Sequence, residues 1–385
     1  MAGLIGLGRE LRLHLLFDRK LDAVAFGYPT PPGREVQERM TLRPMLFQLS
    51  ILIRCNRGIA PQQPFAKRPS LKSAANLAKP SAMTAAPPNI APDILCIGSV
   101  LWDIIGRSPA AMRVGSDVPG RITRLPGGVA MNIAMTLARF GLRPAALTTI
   151  GRDSEGDALI AACARLGVIT DYAYRSDDLP TDRYMAIEGA NGLIAAVADA
   201  YSLEASGEKI LRPLGDGRLG TAAAPWAGMI ALDGNLTQSL LDQIATSALF
   251  AHADLRAAPA SPGKAERLHP LILHGRTTLY VNLEEANILT HGSARTAADA
   301  AEGLLSRGAL RVLVTDGGKA CADGAQTGGI ITSLPPQVMV ARVTGAGDTF
   351  MAAHIVAERK GADRPASLAA ALTAAAAYVS SEVGP

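Results

Sequence analysis

Cysteine and aromatic residues are both scarce in this chain of 385 residues. The four cysteines, Cys55, Cys96, Cys163 and Cys321, are far apart, and they form no CxxC pair and no cluster with histidine. This spacing argues against a disulfide framework or a zinc site and is typical of a reducing cytosol. Aromatic residues make up only 4% of the chain, so a core of small aliphatic side chains is expected.

Long apolar runs are also missing. Residues 45–53 are apolar over only about nine positions, whereas a helix needs about 20 to cross a bilayer. Residues 1–16 have no basic cluster ahead of an apolar run, and Arg9, Glu10 and Arg12 interrupt them, so a secretory signal is not indicated. We therefore expect a cytoplasmic protein without a membrane partner.

The excess of positive charge is confined to the N-terminal part of the chain. Residues 1–90 contain 13 Lys and Arg against 5 Asp and Glu, whereas residues 91–385 contain 25 basic and 29 acidic residues. The net charge of +4 thus combines +8 in the first part with −4 in the second. Because the larger part is mildly acidic, no nucleic-acid partner is expected.

Residues 1–90 differ in composition from the rest. Residues 61–92 are rich in Pro, Ala, Lys and Ser, which is typical of a disordered linker. Three interpretations stay open: a translation start near Met83 with a non-native segment upstream, an organelle-targeting presequence, or a small accessory element. We predict an N-terminal extension over residues 1–90, disordered or a non-native start, followed by one enzyme domain over residues 91–385.

From Asp93 onward, short apolar runs alternate with helical stretches. The run Ile94-Leu95-Cys96-Ile97-Gly98 has the pattern of a buried parallel strand. Such alternation predicts βαβ units and a parallel sheet with helices on both faces. Further strands are predicted at residues 145–150, 229–232, 278–281 and 312–315, and helices at residues 130–140, 156–166, 237–245, 297–307, 347–360 and 367–381.

Two stretches interrupt this alternation. Residues 120–125 and 182–198 have the pattern of strands without a crossover helix. In the second stretch, Asn191-Gly192 lies between two apolar runs, which is a strong indication of a β-hairpin. We therefore expect a small antiparallel sheet, separate from the main one, that serves as a lid.

The sequence Gly345-Ala346-Gly347-Asp348 follows a β-like run at residues 338–341 and begins a helical stretch. Its small residues leave the backbone N–H groups unobstructed, and the helix N-terminus adds a partial positive charge. Such a turn can bind the anionic transition state of phosphoryl transfer. Asp348 can there accept the proton of an attacking hydroxyl, although a GxGD sequence taken alone is also compatible with a plain turn.

Three further motifs precede this one in a fixed order. They are Gly98-Ser99-Val100-Leu101-Trp102-Asp103, Gly127-Gly128-Val129-Ala130-Met131-Asn132 and Asn282-Leu283-Glu284-Glu285. Together with residues 343–350, they make residues 93–383 resemble the ribokinase-like (PfkB) family of carbohydrate and nucleoside kinases. The resemblance implies a three-layer α/β/α sandwich with a mostly parallel central sheet and a small β lid. It also implies ATP and Mg²⁺ as cofactors and a small nucleoside or sugar as substrate.

The resemblance also implies a role for each matching residue. Asp103 would bind two vicinal ribose hydroxyls, and Asn132 would hydrogen-bond a ribose hydroxyl. Gly127 and Gly128 would let the backbone approach the sugar. Glu285 would act on Mg²⁺ through water, because magnesium keeps much of its hydration shell. The ATP-binding positions would be Asn282 near the phosphates and Thr315, Gly317 and Gly318 in a nucleotide-binding turn.

Within the family, residues 126–134, 232–237 and 259–265 and the Val-Thr-Gly-Ala-Gly-Asp form of the last motif resemble the pseudouridine kinases. By that resemblance Asn235, Thr181 and Asp199 are candidate nucleoside contacts. Many ribokinases have an aspartate, which helps with a monovalent cation, where this chain has Arg342. Strong potassium dependence is therefore not expected.

The resulting hypothesis is an ATP-dependent kinase for the 5′-hydroxyl of a nucleoside, preferably pseudouridine, with Asp348 as the catalytic base. Two alternatives stay open: a ribokinase or other sugar or nucleoside kinase of the family, and a non-catalytic ligand-binding protein with this fold. A Rossmann dehydrogenase is not indicated, because the glycines do not form GxGxxG after a first strand. A homodimer through the lid is also expected, because lids in this family often pack against one another.

Overall fold

The computed structural model describes residues 91–380. The predicted extension over residues 1–90 lies outside the described residues. Within residues 91–380, no helix has both the length and the apolar character needed to cross a bilayer.

The described part of the chain contains fourteen strands. They are β1 (Ile94–Ile97), β2 (Leu101–Arg107), β3 (Arg121–Gly127), β4 (Pro144–Leu147), β5 (Thr149–Gly151), β6 (Tyr174–Ser176), β7 (Arg183–Gly189), β8 (Gly192–Asp199), β9 (Met229–Asp233), β10 (Asp254–Ala258), β11 (Thr277–Asn282), β12 (Arg311–Thr315), β13 (Cys321–Ala325) and β14 (Gly329–Ser333).

Nine α-helices lie in the same range. They are α1 (Val129–Arg139), α2 (Ser154–Arg165), α3 (Tyr201–Ser206), α4 (Gln238–Thr246), α5 (His269–Leu273), α6 (Leu283–Thr290), α7 (Ala297–Leu305), α8 (Ala346–Arg359) and α9 (Arg364–Ser380). Short 3₁₀ helices cover Gly207–Leu214, Ala248–Phe250 and Pro262–Leu268.

The central sheet has eight strands in the order β14-β13-β12-β11-β10-β9-β1-β4. Strands β12 to β4 in that order pair in parallel, while β13 and β14 form an antiparallel hairpin at one edge. The predicted α/β fold with a mostly parallel sheet is thereby confirmed. The hairpin was not predicted from the sequence.

Helices cover both faces of this sheet because its strands are apolar at successive positions. In β1, Leu95 and Ile97 join the core that includes α4 to α7, whereas Ile94 and Cys96 join the core that includes α1, α2, α8 and α9. All four side chains are fully buried. Because helices bury both faces of these strands, the strands have continuous apolar sequences and not alternating ones.

A second sheet, the lid, has four strands in the order β3-β2-β7-β8. Strands occur at both places where the sequence predicts lid strands, and β7 and β8 form the expected hairpin. Gly192 closes that hairpin with φ of 93°, a conformation that favours glycine. Strand β2 also belongs to the lid, so Asp103 lies on a lid strand and not in the same sheet as β1.

Two further differences from the sequence-based expectations have clear physical reasons. No strand forms at residues 338–341: Met339 is 90% exposed, and the Ala341 N–H donates to the Val379 carbonyl of α9. Strand β10 was missed because Asp254 and Arg256 interrupt its apolar pattern. Arg256 is nevertheless buried, since it forms ion pairs with Asp254 and with Glu358 of α8.

Candidate active site

The candidate site lies at the carboxyl ends of the central strands. Because β1, β9, β11 and β12 run in parallel, the residues that follow them meet at one edge of the sheet. Ser99 follows β1, Asp233 ends β9, and Asn282 and Thr315 are paired at the ends of β11 and β12. Ligands of open α/β sheets commonly bind at this edge.

The predicted base is in contact with a predicted sugar-binding residue. The Asn132 side chain of α1 donates from Nδ2 to Oδ2 of Asp348 at 2.9 Å. The two residues are 216 positions apart in the chain. Asp348 lies in the first turn of α8, whose N-cap residue Gly345 has φ of 86° and supplies no side-chain cap. The first amides of α8 are therefore not engaged by a capping side chain and can receive an anion.

The Asp348 carboxyl group is strongly perturbed. Burial raises its pKa from 3.8 to about 7, while the Asn132 hydrogen bond acts in the opposite direction. The negative charges of Asp233, Glu285 and Asp103 raise the pKa further. A carboxylate with a pKa near neutrality is a stronger base than an ordinary aspartate, and perturbed groups of this kind concentrate at functional sites.

Asp103 faces the glycine pair that precedes α1. A Cβ atom at Gly127 would collide with the Asp103 carboxylate, so only glycine allows this close approach. At Gly128 φ is 95°, and a Cβ would lie 2.5 Å from the Ser99 carbonyl oxygen. Burial raises the pKa of Asp103 to about 6. The structure thus brings Asp103 and both glycines together.

Asp233 was part of a sequence resemblance but was given no role. It is fully buried, and its carboxylate accepts hydrogen bonds from the N–H and hydroxyl of Ser99 at 2.8 and 2.5 Å. It also accepts from the Ala130 N–H at the start of α1 and from Asn235. An acidic residue that ends the apolar run of β9 was the available indication in the sequence. Asp233 thus joins β9 to the residues after β1 and to the start of α1, and its charge acts on Asp348.

The three predicted nucleoside contacts lie in different settings. Asn235 donates from Nδ2 to the Ser99 hydroxyl and to the Asp233 carboxylate, and its Oδ1 accepts a hydrogen bond from Lys264 at 2.5 Å. Thr181 is buried, and its hydroxyl donates to Asp153. Asp199 ends β8 and lies 3.7 Å from Arg183. Their contacts with a nucleoside stay predictions.

Asn282 and Glu285 form a reciprocal cap at the start of α6. The Glu285 N–H donates to Oδ1 of Asn282, and the Asn282 N–H donates to Oε2 of Glu285, both at 2.8 Å. Burial raises the pKa of Glu285 to about 6. Within residues 91–380, no group of three or more His, Cys, Asp or Glu side chains could by itself hold a metal. A lone buried carboxylate fits Mg²⁺ that is bound mainly by water and phosphate oxygens.

The predicted nucleotide turn follows β12. Thr315 ends that strand, Asp316 pairs with Lys319 at 3.1 Å, and Gly317 has φ of 55°. An added Cβ at Gly317 or Gly318 would meet no atom within 4 Å, so this backbone is open on its outer side. A cavity of about 510 Å³ is lined by Asp316, by Leu283, Glu284, Asn287 and Ile288 of α6, and by Gly292.

Two tyrosines near the site were not predicted. Tyr184 of β7 is paired with Asp103 of β2, so both side chains are on one face of the lid, and the Asp103 charge contributes to raising the pKa of Tyr184, after burial. Tyr378 of α9 donates its hydroxyl to the Thr344 carbonyl, one residue before Gly345. Strand pairing in the lid positions Tyr184, and packing of α9 positions Tyr378. Neither position could be predicted from the local sequence.

The comparisons with known proteins agree with this geometry. The family model for pfkB family carbohydrate kinases matches residues 91–383. A helix-covered parallel sheet with a β lid and an aspartate at a glycine-rich helix start is the arrangement of a small-molecule kinase. The chain belongs to the pfkB family of carbohydrate kinases.

Two curated relatives have different substrates in their names. The chain is 27% identical over 263 residues to the pseudouridine kinase of Escherichia coli, covering 67% of this chain and 81% of the relative. It is also 27% identical over 304 residues to the ribokinase of Bacillus subtilis, covering 75% of this chain and 93% of the relative.

Solved structures share the fold. A carbohydrate kinase from Agrobacterium tumefaciens is 26% identical with a TM-score of 0.64, over 75% of this chain and 91% of that one. The ribokinase of Arabidopsis thaliana, solved with ribose and ATP, is 21% identical with a TM-score of 0.60, over 77% of this chain and 95% of that one. The predicted ribokinase-like fold and family are thereby confirmed.

Proposed function

We propose that this chain phosphorylates the 5′-hydroxyl of pseudouridine with ATP and Mg²⁺. The pfkB family supplies the class of reaction, transfer of a phosphoryl group to an alcohol. The observation that carries the proposal is the 2.9 Å hydrogen bond between Asn132 and Asp348, because it joins a sugar-binding candidate to the candidate base. Likeness to the pseudouridine kinase of Escherichia coli and the form of residues 343–348 support the substrate.

The proposed reaction uses residues from the sheet edge and from the lid. Asp103, Gly128 and Asn132 hold the ribose, with its 5′-hydroxyl next to Asp348. Asp348 accepts the hydroxyl proton as the oxygen forms a bond to the γ-phosphorus. The bond from that phosphorus to the β,γ-bridging oxygen breaks, and ADP leaves with the electron pair. The amides of residues 345–348 stabilise the negative charge on the transferring group.

Glu285 and Asn282 are the residues proposed for the metal side of the site. Glu285 Oε2 is used by the α6 cap, which leaves Oε1 to accept from a water of hydrated Mg²⁺. When bound, Mg²⁺ neutralises charge on the phosphate oxygens. Thr315, Gly317 and Gly318 would contact ATP through the open turn after β12.

A panel of acceptors tests the substrate. ADP release should show the highest kcat/KM with pseudouridine, compared with uridine, a purine nucleoside, ribose and fructose 6-phosphate, and ³¹P NMR should find the phosphate on the 5′-oxygen. The ribokinase alternative rests on equal identity to the Bacillus subtilis enzyme, and the highest kcat/KM with ribose would establish it instead. Nucleotide binding without ADP release from any acceptor would favour a non-catalytic protein.

Substitution of the base tests the chemistry. Asp348→Asn should lower kcat by about a thousandfold, as loss of a group acting in the transition state does. The exposed Asp171→Asn is a matched control and should retain full turnover. Near-normal turnover of Asp348→Asn with a good acceptor would rule out the assignment of the base.

The lid also supports a proposed homodimer. Ile122, Met185, Ile187 and Val197 are between 41% and 77% exposed and share the face of the lid opposite to Asp103. Adjacent apolar side chains of this kind mark an interaction surface. Sedimentation should show a dimer that Val197→Asp dissociates, whereas Val114→Asp, at a 98% exposed loop position, leaves it intact. A monomeric wild-type protein at micromolar concentration would contradict the proposal.

The domain boundary and the compartment are proposals as well. A chain of residues 91–385 should retain the full kcat of the whole protein, because the described site uses only residues after position 91. Mass spectrometry of the native N-terminus would distinguish the three interpretations of residues 1–90. The cytoplasm is proposed as the compartment because Cys96, Cys163 and Cys321 are free and buried.

A further inference from the structure

The loop that leads into α8 is fastened to the last turns of α9. The N–H groups of Ala341 and Arg342 both donate to the Val379 carbonyl, at 2.8 and 3.1 Å. The Arg342 side chain donates from Nε to the Tyr378 carbonyl at 3.1 Å, and its guanidinium carbon lies 3.7 Å from the centre of the Tyr378 ring. Arg342 thus holds the tyrosine by a backbone hydrogen bond and a cation–π contact.

Tyr378 in turn contacts the glycine-rich turn. Its hydroxyl donates to the Thr344 carbonyl at 2.9 Å. A Cβ atom at Gly345 would collide with that hydroxyl oxygen, so the tyrosine lies directly against the N-cap of α8. Burial raises the pKa of Tyr378 above its usual value, and the hydroxyl therefore stays protonated and can donate at neutral pH.

This contact determines the direction of a backbone amide. In a planar trans peptide the C=O and N–H groups point in opposite directions. Because Tyr378 binds the Thr344 carbonyl, the N–H of Gly345 in the same peptide is directed away from Tyr378. Gly345 has φ of 86° and supplies no side-chain cap for α8, and the tyrosine hydroxyl is a side-chain contact that orients this peptide.

We propose that Tyr378, held by Arg342, is a positioning residue for phosphoryl transfer that orients the Thr344–Gly345 peptide and the first amides of α8 toward the transferring phosphoryl group. The inference rests on the proposed role of residues 345–348. An anion-binding turn works through fixed dipoles, and small displacements of such groups lower the rate more than they lower ground-state binding. Tyr378 and Arg342 do not touch the reactants in this proposal.

Two variants separate the parts of this contact. Tyr378→Phe removes the hydroxyl and keeps the ring beneath Arg342, and Tyr378→Leu removes both. We expect kcat to fall roughly 10-fold in Tyr378→Phe and roughly 100-fold in Tyr378→Leu, with both KM values within about threefold of wild type, because the tyrosine acts on the transition state. Arg342→Lys keeps a cation at the ring and should retain more kcat than Arg342→Ala.

Binding of a transition-state analogue provides a readout that a purely structural role would not change. Both tyrosine variants should bind ADP with Mg²⁺ as wild type does, but should bind ADP with aluminium fluoride and Mg²⁺ at least about 10-fold more weakly. Thr373→Ala is the matched control: Thr373 is exposed on α9, and its hydroxyl donates to the Ala369 carbonyl within that helix. It should match wild type in all these measurements.

The outcomes distinguish this inference from the proposed function. Wild-type kcat in Tyr378→Phe, or an equal weakening of ADP and ADP–aluminium fluoride binding, would overturn the positioning role. If Tyr378→Leu does not fold, Tyr378→Phe decides alone, because its change is a single oxygen atom. If instead Asp348→Asn retains turnover, the proposed function fails, whatever the tyrosine variants do.

Discussion

The Asp348 carboxylate accepts a hydrogen bond from Asn132, and three other acidic side chains act on it electrostatically. Asn132 lowers the pKa of Asp348, whereas burial and the charges of Asp233, Glu285 and Asp103 raise it, with about 7 as the result. A base must be ionised to accept a proton. The pH dependence of kcat/KM reports the pKa values of the enzyme without bound substrate, so kcat/KM should change with pH in the neutral range.

The pH dependence of kcat/KM tests this environment. We expect kcat/KM to rise with pH, to reach half its maximum near pH 7 and to level off above it, because Asp348 must lose its proton. Asn132→Ala removes the hydrogen bond that lowers the pKa and should move the midpoint to higher pH. Gln326→Ala, an amide at the edge hairpin, is the control. A midpoint that moves to lower pH in Asn132→Ala would contradict this electrostatic picture.

At the scale of elements, α8 carries the proposed base, Asp348, at one end and an ion-pair network at the other. Glu358 in its last turn accepts from Arg256 of β10 and from Arg311 of β12. Arg311 also pairs with Asp323, and buried His354 of α8 accepts from or donates to Tyr280 at 2.9 Å. The network ties α8 to strands β10 to β13 and so sets the position of its N-terminus at the sheet edge.

Substitution of Glu358 should therefore destabilise the folded protein. Glu358→Ala leaves two arginines without this partner, and we expect the free energy of unfolding to fall by about 3 kcal/mol, as for other largely buried pairs. Urea denaturation with an unchanged m value would measure it. Glu188→Ala breaks the exposed pair with Arg107 and should cost less than about 1 kcal/mol. Equal effects of the two substitutions would show that the network does not anchor α8.

At the scale of the whole molecule, the fold gathers acidic groups at one place. Asp103 comes from the lid, Glu285 from the start of α6 and Asp348 from the start of α8, and the pKa of each is raised chiefly by burial. A raised carboxylate pKa means that the folded state binds more protons than the unfolded state. Protonation of Asp348 therefore contributes to the free energy of unfolding. This contribution is fully present below pH 3.8 and is lost as pH rises through about 7.

Removal of one of these charges should stabilise the ligand-free protein. At pH 8 we expect Asp348→Asn to raise the free energy of unfolding by about 1–2 kcal/mol, the range typical of relieved functional-site strain. The gain should shrink at pH 5, where the folded wild-type carboxyl group is already protonated. Thermal unfolding at both pH values measures it, with Asp171→Asn as control. A destabilised Asp348→Asn at pH 8 would contradict the expected repulsion.

Several features could be predicted because they are local. The buried strands show as continuous apolar runs, and the Asn191-Gly192 hairpin follows from turn chemistry. The small residues before Asp348 predict an open helix start. Strand β10 could not be predicted, because its charged Arg256 is buried with two acidic partners, and one of them, Glu358, is 102 positions away in the chain. The run at residues 338–341 had the apolar character of a strand but no neighbouring strand to pair with.

The sequence by itself determined the family, the α/β class and the candidate residues Asp103, Asn132, Glu285 and Asp348, because apolar periodicity and ordered motifs are properties of the chain. Only the tertiary structure decided which of these groups meet. The Asn132–Asp348 contact and the raised pKa of Asp348 depend on packing between distant elements. The same is true of Tyr378: an alanine-rich helix gives no local sign that its one tyrosine contacts the turn that precedes Asp348.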